Sequence, residues 1–361
     1  MDISKKKELL PLTSLRFFAA AIVVISHLGY DYHLGGMGVT FFFILSGFIL
    51  SYNYADKLIA WSSGEIVRMW TSRLSRIFPV HIFMFLLSIP LTYIYSRDYS
   101  LTDTLSNILL LQSWYPNGQG AFSFNGVSWT LSCELFFYIT LPFILLISSK
   151  KALKLSTISL IVYMIIIMLF IWITSISAGM DMPEYSFKWW VYVISPYLRW
   201  MDFFLGIVLG FLFLKRKNRY DINYHIAGGF EVCSITIMLI SYFAFLKFDV
   251  PFKWNYSAYF DPIFSIVIYI FAMQRGMLSK ILSNKAYTYL GKISFSIYMT
   301  HQVLMFYWNR YIYNLNCIAT TKEEILNQLA YAFSVLAISS LTYHFIENPA
   351  RKAIINYNIK K

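Results

Sequence analysis

The chain has 361 residues, of which 58% are hydrophobic, 19% aromatic and 13% charged, against about 25% charged in a typical soluble domain. So little polar cover excludes an ordinary soluble enzyme. The net charge of +12 lies in short loops rather than on one face, which excludes a nucleic-acid-binding patch, and Cys133, Cys233 and Cys317 are too few and scattered for a disulfide framework or a CxxC metal site.

In chain order, ten apolar segments suit a hydrocarbon core of about 30 Å. They fall at 12–30, 38–55, 77–95, 127–148, 156–175, 194–214, 226–246, 259–274, 289–309 and 325–346, the eighth being the shortest. The predicted fold is an all-α polytopic integral membrane protein with about ten transmembrane helices. Lys5, Lys6 and Lys7 precede the first segment as they would a signal peptide, but Arg16 interrupts it and no small-residue cleavage pattern follows, so it reads as a retained helix. Lys and Arg outside the segments number 22 on the side that holds both termini and 6 on the other. By the positive-inside rule both termini are cytoplasmic. The charge thus reads as topology and contact with anionic membrane lipids, with no nucleic acid as partner. No repeat or long hydrophilic block interrupts the pattern, so 1–361 is expected to be a single transmembrane domain with no appended soluble domain.

Ionisable groups inside spans are costly and mark the places to look for function. Arg16 and His27 are eleven residues apart, about three helical turns, and so share one face of the first helix. Arg16 can also snorkel to headgroups, and His27 can be an interfacial histidine satisfied by a loop. Glu134 lies in the second turn or so of the fourth span, at a depth overlapping that of His27; a helix-packing hydrogen bond or a His–carboxylate pair would each satisfy it. Arg199 and Asp202, three apart, form either a local ion pair or a substrate contact. His301 lies deep in the ninth span, bonded to a carbonyl or poised for function. Arg73 and Arg76 open the third span and point the same way, as a topology signal or as a paired phosphate-binding face. Outer aromatics such as Trp114, Trp189 and Trp190 form an interfacial belt, some of them able to stack on sugar rings.

In these residues the chain resembles the acyltransferase 3 family of integral membrane acyltransferases, over essentially its whole length. Arg16 and His27 match R-x10-H, Gly38 to Phe48 resembles FFxLSGF, and Arg73 to Pro79 is similar to RxxRIxP. Ser128 to Glu134 resembles W-[ST]-L-x-x-E, Ser294 to His301 resembles S-[YF]-x-x-Y-L-x-H, and Glu347-Asn348-Pro349 resembles a common ending. The resemblance implies transfer of an acyl group, most often acetyl from cytoplasmic acetyl-CoA, to a hydroxyl of an extracytoplasmic glycan such as O-antigen, exopolysaccharide or a lipid-linked sugar. It also implies a multi-pass protein of a bacterial cytoplasmic (inner) membrane. On that reading Arg16, Arg73 and Arg76 receive the donor phosphates, and His27 is general base or transient acyl carrier. Glu134 would support the imidazolium, while Arg199, Asp202, His301 and Trp129 are candidates for binding the substrate. No metal is called for, because a thioester is already an activated donor. Thr40 stands where many members carry an acidic residue, and Met299 replaces the usual leucine. The alternative class is a transporter or flippase using His27, Glu134 and Arg199 as a pathway; the paired repeats with broken helices that it predicts are not seen.

Overall fold

Hydrocarbon offers a backbone no water, so an apolar segment must satisfy its own N–H and C=O groups, and a helix does so within one segment. The computed structural model describes residues 6–29, 34–54, 63–148, 184–216, 222–248, 259–312 and 321–359, together with Val162. Its α-helices are α1 Leu10–His27, α2 Leu34–Tyr54, α3 Ser63–Ile94, α4 Leu101–Ile108, α5 Trp129–Ser148, α6 Phe187–Val193 and α7 Pro196–Arg216. They continue as α8 Tyr224–Lys247, α9 Asp261–Ala272, α10 Met277–Leu282, α11 Lys285–Tyr311, α12 Thr321–Thr342 and α13 Asn348–Ile359, with no strand among the described residues.

Among the described residues, seven helical stretches are long and apolar enough to cross a membrane. The expected eighth span is α9, only 12 residues long, or about 18 Å at 1.5 Å per residue. The expected ninth is α11, 27 residues long and diluted in hydropathy by a buried polar set that includes Ser294, Ser296, Thr300 and His301. The expected fifth, 156–175, lies outside the described residues. One boundary differs in a way that matters. The third helix begins at Ser63 and runs through Pro79 and Pro90, so Arg73 and Arg76 sit well inside it rather than at its start. Residues 63–76 carry too many charges to register as an apolar span, yet beyond Gly64 at the first turn they contain no helix breaker.

The core is built on α2, which packs most extensively on α7, while α1 packs on α2 and α11, and α11 on α12. Two thirds of the apolar window of α2 is buried (67%) but only 17% of that of α8, which places α2 at the centre and α8 on the lipid face. The α2–α7 contact is backbone to backbone: a Cβ on Gly206 would meet the carbonyl oxygen of Ile44, and one on Gly47 that of Phe203. This is the close approach that small residues permit between membrane helices. Gly206→Val is therefore expected to destabilise by about 1–3 kcal/mol or more, read as a lower thermal-unfolding midpoint of the detergent-purified protein. Gly229→Val, where the added carbon meets nothing within 4 Å, should leave the midpoint unchanged; equal effects would remove the backbone contact as the cause.

The long connection after α4 folds back into the bundle. Asn107 Nδ2 donates to the Ser123 carbonyl at 2.8 Å and Asn125 Nδ2 to the Met299 carbonyl at 2.9 Å. Gln302 Oε1 accepts the Val127 N–H at 3.0 Å. Those bonds anchor the turn that starts α5, and so fix the height at which Glu134 enters the bundle.

Candidate active site

Three cavities follow one another along α1. The first is a mouth of about 370 Å³ lined by Lys6, Lys7, Arg16, Arg76, Lys292 and Arg351, with Glu8 and Glu347 as its acidic side chains. The second, of about 100 Å³, is lined by Arg16, Arg73, Arg76, Ser46, Thr130, Glu134, Tyr138 and Tyr298. Arg16, Leu45, Ile49 and Arg76 border both. The third, of about 170 Å³, holds His27, Phe122, Trp129, Trp189, Tyr298 and Gln302, and shares Val39 and Tyr298 with the second. The spacing of Arg16 and His27 thus has a structural meaning: one helix face carries a guanidinium into the inner cavities and an imidazole into the outer one.

His27 lies in the last turn of α1. Its Nδ1 is 2.8 Å from the carbonyl of Val23. A carbonyl only accepts, so Nδ1 carries a hydrogen, and in the neutral ring it is Nε2 that presents the lone pair. The late carbonyls of the helix add partial negative charge beside the ring. Glu134, expected beside His27, faces the arginines instead, and its Oε2 accepts the Tyr138 hydroxyl at 2.7 Å. Thr130, Glu134 and Tyr138 are spaced by four on α5 and line the middle cavity as one stripe. Trp129, five residues earlier on α5, is the residue that shares the outer cavity with His27, so Glu134 stands about 7.5 Å further along the helix, on the cavity of the guanidinium groups. The Arg73 guanidinium also lies over the Tyr54 ring, 5.9 Å from its centroid.

The remaining candidates fall into two groups. Trp129 joins His27 at the outer cavity, and His301 is buried with its ring centroid 5.0 Å from that of His27. Arg199 and Asp202 line none of the three cavities. They pair with each other at 3.0 Å, wholly buried, and Arg199 also donates to Thr40 Oγ1 at 2.8 Å and lies over Phe43. The Thr40 hydroxyl thus meets the guanidinium and Asp202 supplies the carboxylate.

The sequence reading passed over Tyr138, Tyr298, Gln302, Lys292 and Arg351, and took Glu347 only as part of an ending. The i, i+4, i+8 spacing of Thr130, Glu134 and Tyr138 was an available signal. Glu347 is buried in a π-helical turn over Tyr343–Glu347 and accepts the Ser296 hydroxyl at 2.6 Å. Nothing local announces that the chain after the tenth span turns back to the mouth.

A helical bundle with several membrane-length apolar helices, and with cationic inner cavities that lead toward a histidine, defines a multi-pass membrane protein with an internal polar path. The family profile described as an acyltransferase domain matches residues 12–344, and the chain belongs to that acyltransferase 3 family. It is 23% identical over 360 residues to the O-acetyltransferase OatA of Staphylococcus aureus, covering 94% of this chain and 57% of that protein. It is 24% identical over 373 residues to the acyltransferase MdmB of Streptomyces mycarofaciens, covering 95% of this chain and 92% of that one. The chain therefore spans little more than half the length of OatA. No solved structure matches it.

Proposed function

We propose that this protein is a membrane O-acyltransferase that moves an acetyl group from acetyl-CoA to a hydroxyl of a glycan or lipid-linked sugar on the opposite side of a bacterial cytoplasmic membrane. The observation that carries this reading is the continuity of the three cavities from a mouth with six cationic side chains to the ring of His27. A nucleotide-bearing thioester is a polyanion with a thin arm. Arginine and lysine at the mouth suit its phosphates, and the narrow middle cavity suits the arm alone. At the far end His27 Nε2 takes the acceptor hydroxyl proton as the oxygen bonds to the thioester carbonyl carbon. The carbon–sulfur bond then breaks, and the proton passes from His27 to the departing sulfur. Glu134 balances and orients the three arginines rather than touching the imidazole, and Trp129 and Trp189 offer faces on which a sugar ring can stack. The test is acetyl transfer by protein purified into nanodiscs, supplied with acetyl-CoA and glycan from the outer surface. Acetylated glycan formed in step with free thiol is expected; neither product above a protein-free control overturns the reading.

The same proposal places both termini and the mouth in the cytoplasm, with 1–361 acting as one transmembrane domain. With the native cysteines replaced by serine, Lys188→Cys, on an exposed position before the outer cavity, should react with a membrane-impermeant maleimide in intact cells. Arg216→Cys, exposed at the other end of α7, should react only after lysis. The opposite pattern would invert the molecule and detach the mouth from cytoplasmic acetyl-CoA.

A further inference from the structure

Resting on the acyl-transfer reading above, we propose that His301 is a positioning residue for His27. Its buried Nε2 lone pair takes a hydrogen bond from His27 while His27 holds the acceptor's proton, so that the proton is shared by two imidazoles. The two rings meet edge to face, their centroids 5.0 Å apart and their planes at 67°. Each ring has its Nδ1 against the carbonyl four residues earlier on its own helix: Val23 at 2.8 Å for His27 and Ile297 at 3.3 Å for His301. Both rings therefore carry a hydrogen on Nδ1, and in the neutral form each presents Nε2 as a lone pair.

His301 is completely buried, and its Nε2 has no hydrogen-bond partner among the described residues. A buried acceptor without a donor is unfavourable. Two neutral imidazoles of the same tautomer cannot relieve each other, but one imidazolium and one neutral imidazole can. The arrangement thus favours the state in which His27 is charged over the resting state, which is the differential stabilisation that speeds a reaction.

The surroundings leave this role to the pair. Tyr331 of α12 donates to the His301 carbonyl at 2.7 Å and holds that turn of α11 in place. Among the described residues, the titratable side chains beside the pair are Tyr298 on α11, its ring 6.0 Å from His301, and Tyr331 on α12, whose hydroxyl bonds the His301 carbonyl. α2 and the turn at 126–128 bring Gly35, Gly36, Val39, Gly126 and Val127 to the cavity beside them, none of which titrates. No third Asp, Glu, Cys or His joins the two rings in a ligand-like cluster among the described residues, and Glu134 faces the arginines of the next cavity. In the step itself the proton leaves the acceptor hydroxyl for His27 Nε2, where the single N–H is shared in a three-centre bond between His301 Nε2 and the departing sulfur, and it ends on that thiolate.

The experiment is the pH profile of kcat and KM for wild type, His301→Leu, His301→Gln and His27→Gln, each normalised to folded protein. His301→Leu is expected to lower kcat about tenfold to a hundredfold, the worth of one charge-assisted hydrogen bond, with KM for both substrates nearly unchanged. Without its partner His27 charges less readily, so the acid limb of kcat should move down by about one pH unit. His301→Gln, whose Oε1 can accept the same bond, should recover part of both. An unmoved acid limb in His301→Leu, or equal losses in the leucine and glutamine variants, overturns the proposal. If the leucine variant does not accumulate, the glutamine variant decides by the same criterion of a limb displaced toward lower pH. Failure of the underlying reading looks different: wild type transfers no acyl group, or His27→Gln keeps its full rate.

Discussion

His27→Gln is expected to lower acyl transfer by a factor of about 10² to 10⁴, the usual contribution of a positioned general base, while the protein inserts and accumulates normally. The glutamine amide can donate to the Val23 carbonyl in place of Nδ1, which now makes that bond at 2.8 Å, so the local fold keeps its hydrogen bond. What it lacks is a nitrogen able to take the hydroxyl proton. His27 borders a cavity of about 170 Å³ rather than filling a packed core, so even His27→Ala opens little new void and should lose activity without losing protein. The measurement is acylated product per unit of folded protein, with the thermal midpoint recorded beside it. A glutamine variant near the wild-type rate would return His27 to an interfacial role and remove the base from the scheme. Loss of rate only in proportion to a lower midpoint would make the defect one of folding.

Hydropathy made most of the helices legible, because the bilayer imposes one constraint along one dimension: length of apolar chain. It missed the first half of α3, where Glu65, Arg68, Arg73 and Arg76 break the apolar run without breaking the backbone hydrogen bonds of Ser63–Ile94. Helix spacing made the shared face of Arg16 and His27 legible, and the structure sets those two side chains on successive cavities. The partner of Glu134 was not legible. Span boundaries read from hydropathy do not set α5 against α1 to within a turn, and an offset of that size puts Glu134 on the cavity next to the one that His27 lines. The pairing of His27 with His301 and the return of Glu347 and Arg351 to the mouth depend on how distant helices pack, α1 on α11 and α13 on α3. No window on a single segment contains that information.

Replacement of the shared arginines should act on donor use rather than on the chemical step. Arg16 and Arg76 border both the mouth and the middle cavity, whereas Arg73 borders the middle one alone and lies over Tyr54. Arg76→Gln and Arg16→Gln are therefore expected to raise the KM for acetyl-CoA by about tenfold to a hundredfold, the worth of one hydrogen bond to a charged group, and Arg73→Gln by less. Arg76→Lys should recover only part, since an ammonium keeps the charge but not the planar fork that grips phosphate. Glu134→Gln should move the other parameter. It removes the carboxylate that accompanies three arginines in the middle cavity and leaves Tyr138 without its charged acceptor, now 2.7 Å away. Donor binding should then hold or tighten while kcat falls, because the guanidinium groups lose the partner that sets their geometry. Initial rates at varied acetyl-CoA, with acceptor saturating, separate the two effects. An Arg76→Gln variant with unchanged KM would reduce that arginine to a topology signal, and a Glu134→Gln variant that loses donor affinity would place the carboxylate at the donor instead of behind the arginines.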